Sequence, residues 1–337
     1  MRFSKLPFYV TTIFLCASSI LGSKALADEV LSHLYTPSLS DGNLPWFTGP
    51  LLAPSAHTLP PGHGDVEPYL FFTTVTGVYN EHWNVESIPN FYQLNLVVPG
   101  WIGLTSFLDF TFAPQVFYSF SQGENSTQFG DVPFGFDIQL LNDQEKTWWP
   151  AIKLGLQVIA PTGKYKNLNP KDLGTDAVGI GSWTPKINLT FGRLFLLSNN
   201  HFLAPRLALT YLIGTPVHVS NYNSYGGTLG TLGKVYPGND FAVDFGCEYN
   251  LTQRWVVALD IFYDYQNKTK FSGNPGEIAP GVPAVLSSPS SEQFSLAPAL
   301  EYNWSSNVGM IGGVWFTIAG RNASQFVSGV LALNIYI

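Results

Sequence analysis

From Asp65 to the last residue, apolar and polar side chains alternate with period two in one segment after another. In "VPFGFDIQLL", Val132, Phe134, Phe136, Ile138 and Leu140 share one face, and Pro133, Gly135, Asp137 and Gln139 share the other. Successive side chains of an extended chain point to opposite faces, so this stretch predicts a strand with one oily and one wet side. "NFYQLNLVV" opposes Tyr92, Leu94, Leu96 and Val98 to Gln93 and Asn95. "DFAVDFGCEYN" opposes Phe241, Val243, Phe245, Cys247 and Tyr249 to Asp240, Asp244, Glu248 and Asn250. "NFYQLNLVV" and "YLFFTTVTGVY" are the less clean early segments, and the faces of the latter, Tyr69 to Tyr79, are hard to tell apart. The pattern yields about twelve strands of the ~9–11 residues that cross a bilayer when tilted.

The links alternate in length. Short ones follow Val98 (at Pro99-Gly100), Leu141, Phe191, Asn250 and Asn303, while most on the other side are longer, at 121–130, 163–181, 215–239 and 267–291. Outer-membrane barrels combine short periplasmic turns, long external loops and an even strand count. The expected fold is therefore all-β, a transmembrane antiparallel up-and-down barrel of about twelve strands.

Composition decides where the oily faces point. The chain is 45% hydrophobic but only 12% charged, whereas soluble domains carry about 25% charged residues. A soluble sandwich with so many oily faces would need more charge outside, so lipid is the expected outer solvent. Trp101, Trp149, Trp255 and Trp304 fall beside short links and are expected to form a membrane-interface girdle. Arg2 and Lys5, then Phe8 to Leu21, then "ALA" at 25–27 read as a cleaved signal peptide over residues 1–27. Residues 28–64, rich in Pro, Gly and His, predict an extended periplasmic arm, and 65–337 the barrel. Cys247 alone remains after cleavage, which excludes an intramolecular disulfide. The net charge of −7 gives no reason to expect a nucleic-acid partner.

The wet faces carry the charges that matter. Asp109, Asp137, Lys153, Lys186, Arg206, Asp244, Glu248, Asp260, Asp264 and Glu301 are expected to line the lumen. Lys153, Lys186 and Arg206 sit on three successive strands and the later acids on the next three, so a basic sector would adjoin an acidic one. Such a wall can hold a transverse field across a pore, or its charges can pair and seal it. No histidine takes a clean inward position beside an acid, so no catalytic constellation is expected. "HTLPPGHGD", with His57, His63 and Asp65, matches no strong metal spacing, and a solvated arm is the favoured reading. "APTGKY" lacks the first glycine and the hydroxyl residue of a phosphate loop. No cofactor or metal is expected.

"GDVPFGFDIQLL", "LGLQVIAPTGKY" and "GTDAVGIGSW" resemble the outer-membrane family named for the meta-pathway of phenol degradation. The resemblance implies a barrel that passes hydrophobic or aromatic compounds. The chain ends "NIYI" where such barrels commonly end in Phe, although Ile337 continues the apolar alternation of Leu331, Leu333 and Ile335. The expected function is a non-enzymatic outer-membrane channel or transporter for small solutes. Its expected partners are outer-membrane lipid, lipopolysaccharide and the barrel assembly machinery. The alternative is a non-conducting surface barrel whose external loops bind a partner or host molecule.

Overall fold

The computed structural model describes residues 45–143, 149–198 and 201–337. The expected signal peptide and residues 28–44 lie outside them. Twelve antiparallel wall strands close into a barrel. The first is Tyr69–Tyr79, and the next three are each built of two pieces. These are Val85–Val97 with Gly100–Thr105, Leu108–Phe112 with Gln115–Ser121, and Glu124–Phe129 with Val132–Leu141. Eight single strands follow: Ala151–Ala160, Thr184–Gly192, His201–Leu212, Asp240–Asn250, Trp255–Gln266, Ser291–Asn303, Val308–Arg321 and Ser324–Tyr336. The last pairs with the first, Tyr69 opposite Ala332, so the wall has no free edge. Every backbone amide of the spanning wall can then be met without water.

Alternation sets the two faces. In Asp240–Asn250 the even-numbered residues are buried inside, while Phe241 and Phe245 stand exposed on the outside. Phe134, Phe136 and Leu156 are likewise exposed, and Asp137 is buried. Gly64 and Ile337 exchange backbone hydrogen bonds of 2.7 and 2.8 Å, so the start and the end of the barrel meet at the rim of the short links.

Two links differ from the sequence reading. Pro99-Gly100 is not a turn; the chain runs on through Gly100–Thr105 and reverses at Ser106-Phe107. The segment 121–130 is not a long loop either. Gln122 and Gly123, both at positive φ (52° and 94°), make a two-residue hairpin that extends the wall. Positive φ at both central positions gives a turn whose twist matches the flanking strands.

The remaining long links fold on themselves. Val217–Ser220, Leu232–Tyr236 and Lys270–Asn274 form a three-stranded sheet that continues the wall past the lipid-facing rows. Its inner face, Val217, Val219 and Val235, packs with Tyr225, Ala284 and Leu286 into an apolar cap, against which Tyr165, Ile180 and Phe271 also pack.

Candidate channel lumen and its strap

The described part of the N-terminal arm, residues 45–63, lies inside the barrel, which corrects the expectation of a periplasmic arm for these residues. Its sequence, "PWFTGPLLAPSAHTLPPGH", explains why it can be there. Five prolines keep it extended and remove amides that would need partners. The amides that remain are met by wall side chains. Thr48 donates its N–H (2.7 Å) and hydroxyl (2.6 Å) to Glu301, and Gly49 N–H donates to Glu248 at 2.6 Å. The N–H groups of Leu51, Leu52 and Ala53 converge on the Asp260 carboxylate at 2.8, 3.2 and 3.0 Å. Nearer the short-link rim, Leu59 N–H donates to both Asp109 oxygens at 3.0 Å, and Thr58 N–H donates to Gln139 at 2.7 Å. Buried carboxylates are costly unless hydrogen-bonded, and buried amides likewise, so strap and wall satisfy each other.

The wall also makes room for the strap. A Cβ on Gly246 would stand 2.5 Å from Pro50 and 2.7 Å from Ala53, one on Gly192 2.7 Å from Ala56, and one on Gly103 2.1 Å from the Pro60 carbonyl oxygen. Small inward residues thus follow the strap's path. Leu51 and Leu52 complete an apolar sector with Phe71, Phe262, Trp315 and Phe326, in which the Trp315 ring lies 4.8 Å from Phe326 and 6.1 Å from Phe262. The interior is therefore not polar all round, as the residue pattern suggested.

The ten expected lumen residues all fall on the inner side, nine of them buried and Arg206 half-buried. Lys153, Lys186 and Arg206 lie on three neighbouring strands and the later acids on the next three, so a basic stretch of wall adjoins an acidic one, but most of these charges are engaged in contacts. Lys153 pairs with Asp137 at 3.2 Å and Arg206 with Glu248 at 2.9 Å, while Asp109, Glu248, Asp260 and Glu301 hold the strap. Asp244 lies opposite Phe262 in register, Asp264 opposite Gln293, and Lys186 opposite Gln157. Of the expected girdle, Trp149, Trp255 and Trp304 are exposed, but Trp101 is buried against Leu59. Trp101 points inward because the chain does not turn at Pro99-Gly100, which keeps the alternation of Val97 running through it.

His57 stands 3.5 Å from Asp143 at the short-link end. Burial, with Lys153 and Arg206 nearby, pushes the imidazole down to about 3, and burial raises the Asp143 carboxyl to about 6. The contact is thus one of a neutral imidazole rather than an ion pair. His63 stacks on Tyr336 at 5.3 Å, and Asp65 accepts from Asn334 at 2.9 Å.

Sequence reasoning passed over Asp131, which is buried at the root of the cap. Its carboxylate accepts from Gly163 N–H (2.7 Å) and Ile180 N–H (2.9 Å). Lys164 pairs with the buried Asp176 at 2.5 Å, and the backbones of Gly163 and Gly179 touch. Asp131 begins "DVPFG", Gly163 lies in "APTGKY" and Gly179 in "GTDAVGIG", so these three motifs meet in one junction. Their glycine content was the available signal.

A closed antiparallel wall, apolar outside and strapped inside, defines a β-barrel of the outer-membrane type. Residues 72–333 match the family described as "Putative MetA-pathway of phenol degradation", and the chain belongs to that family. Among solved structures, an outer membrane channel from Pseudomonas putida F1 superposes with a TM-score of 0.62 at 12% identity, covering 84% of this chain and 98% of that one. The TodX monoaromatic hydrocarbon channel is a looser match, with a TM-score of 0.37 at 12% identity over 82% of this chain and 90% of that one. The search of curated proteins gave no match.

Proposed function

We propose that this protein is an outer-membrane channel for small solutes whose lumen is closed at rest by the strap 45–63. The carrying observation is that wall carboxylates hold the strap through its backbone amides, an arrangement that seals a passage without covalent attachment. Family membership and the barrel shared with an outer membrane channel support passage as the activity. The inward sector of Phe71, Phe262, Trp315 and Phe326 gives apolar or aromatic solutes a matching surface. Asp109, Asp137, Glu248, Asp260 and Glu301 are engaged by strap amides or wall cations, which supports a non-enzymatic reading. Export by a cleaved signal peptide to the outer membrane of a Gram-negative cell, with insertion by the barrel assembly machinery, fits the basic-then-apolar N-terminus and the oily outer face.

Planar-bilayer conductance tests this reading. The full chain is expected to conduct rarely. Removal of residues 45–62, or Gly246→Leu, whose side chain would occupy the place of Pro50 and Ala53, is expected to raise open-state occupancy at least several-fold. A strapless barrel that inserts, migrates as a folded species and still does not conduct would sink the channel reading. The loop-borne surface-binding alternative would then lead.

A further inference from the structure

The outer face of the three-stranded cap sheet has no role in the proposed channel, yet its composition is distinct. His218, Lys234 and Ser272 form one cross-strand row, and Tyr236 and Lys270 the next, all on the side opposite the buried Val217, Val219 and Val235. Lys268 joins them, since it and Lys270 are exposed on either side of the buried Thr269. Lys234 lies 5.5 Å over the Tyr236 ring. None of the sheet's own residues, 217–220, 232–236 and 270–274, is acidic, in a chain with Asp+Glu 23 against Lys+Arg 16.

Directly beneath this face lies the lipid-facing wall. Tyr211, Phe241 and Tyr265 make an outward aromatic row across the strands that run up into the sheet. Aromatic rows of this kind sit at the boundary between acyl chains and headgroups. Lys268 follows Tyr265 by three residues, about 10 Å of extended chain, and strand tilt with a flexible stem brings its ammonium to headgroup level. The acid of that boundary, Glu292, is taken by Arg321 at 2.7 Å.

We propose that this face seats the phosphorylated sugar headgroup of lipopolysaccharide, with Lys234, Lys268 and Lys270 on its phosphates and Tyr236 against its sugar rings. The proposal rests on the outer-membrane reading above and deepens it, because the lipid of the outer leaflet is the anion that meets this level of the wall. Lysine ammoniums act as point charges on phosphate, each adding to attraction at a membrane surface.

The test uses the full chain in detergent and fluorescently labelled rough-type lipopolysaccharide. The wild type is expected to bind it, and the triple variant Lys234→Gln, Lys268→Gln, Lys270→Gln to bind roughly tenfold or more weakly. Replacing the same three residues with Arg should preserve binding, and heat-modifiable gel migration verifies that each variant is folded. Chemically dephosphorylated lipopolysaccharide should lose affinity for the wild type to a similar extent. Equal binding by the Gln variant, or indifference to the phosphates, overturns the proposal. So does equal affinity for phosphatidylglycerol, which would mark a general anionic surface. Fractionation of the protein away from outer membranes would sink the location reading independently of any of these detergent results.

Discussion

Single residues show which side of the wall faces which solvent. Phe245 is outward and exposed, while Gln157 is inward and half-buried, donating to Asp137. Phe245→Arg is expected to cost roughly 2–4 kcal/mol near the bilayer midplane and Gln157→Arg clearly less, as read from urea unfolding of the protein in lipid vesicles. Equal costs would mean that the register is wrong. His57 makes strap docking sensitive to acid. Its seated imidazole is held down to about 3, against 6.5 ordinarily. The released strap binds a proton over that window and the seated one does not, so docking weakens as pH falls from about 6.5 toward 3. Asp143, raised to about 6 from 3.8, works the other way over a narrower window. The contribution of His57 is therefore to raise open-state occupancy between pH 7.5 and 5. His57→Gln should remove that contribution, leaving less opening at pH 5 than in the wild type, and an unchanged pH profile would refute the assignment.

At the scale of elements, legibility followed period. Strands such as Asp240–Asn250 could be read because lipid and lumen impose opposite chemistry on alternate residues. Links were less legible. Pro99-Gly100 has turn composition, yet its neighbours Val97 and Trp101 hold the inward face and the ladder continues past it. The hairpin at Gln122-Gly123 was hidden because polar strands outside the membrane, as in Glu124–Phe129, lose the oily half of the pattern. The Asp131 junction was unreadable for another reason: it joins three distant segments through backbone amides, which leave no trace in side-chain type. Its function as a latch for loop 163–181 has a direct check. Asp131→Asn keeps the size of the side chain but has one acceptor oxygen for two amides, and Gly179→Ala places a Cβ 2.5 Å from the Gly163 carbonyl carbon and oxygen. Both variants are expected to speed protease cleavage within 163–181 several-fold while the barrel stays folded. Unchanged cleavage would show that the loop is held elsewhere.

For the whole molecule, the sequence puts the inner charges on the wet faces of their strands and leaves open whether they line a pore or seal it. Alternation placed Asp260 and Glu301 inside; nothing in a period-two pattern could show that an aperiodic, proline-rich arm would come to lie on them. The strap's partners have a consequence for biogenesis. Thr48 reaches Glu301 across 253 positions, Leu51 reaches Asp260 across 209, and Gly49 reaches Glu248 across 199. These seats lie on strands made late, so whereas Thr58 and Leu59 find Gln139 and Asp109 early, Thr48 to Leu51 have nowhere to rest until the last third of the chain is in place. Such distant contacts form slowly. On the proposed reading the strap would act as a checksum on assembly: an incomplete wall would leave its first half unseated, and only a finished wall would take it in. A newly inserted channel would then begin its life shut, and the cell would be spared a leak for every copy it builds.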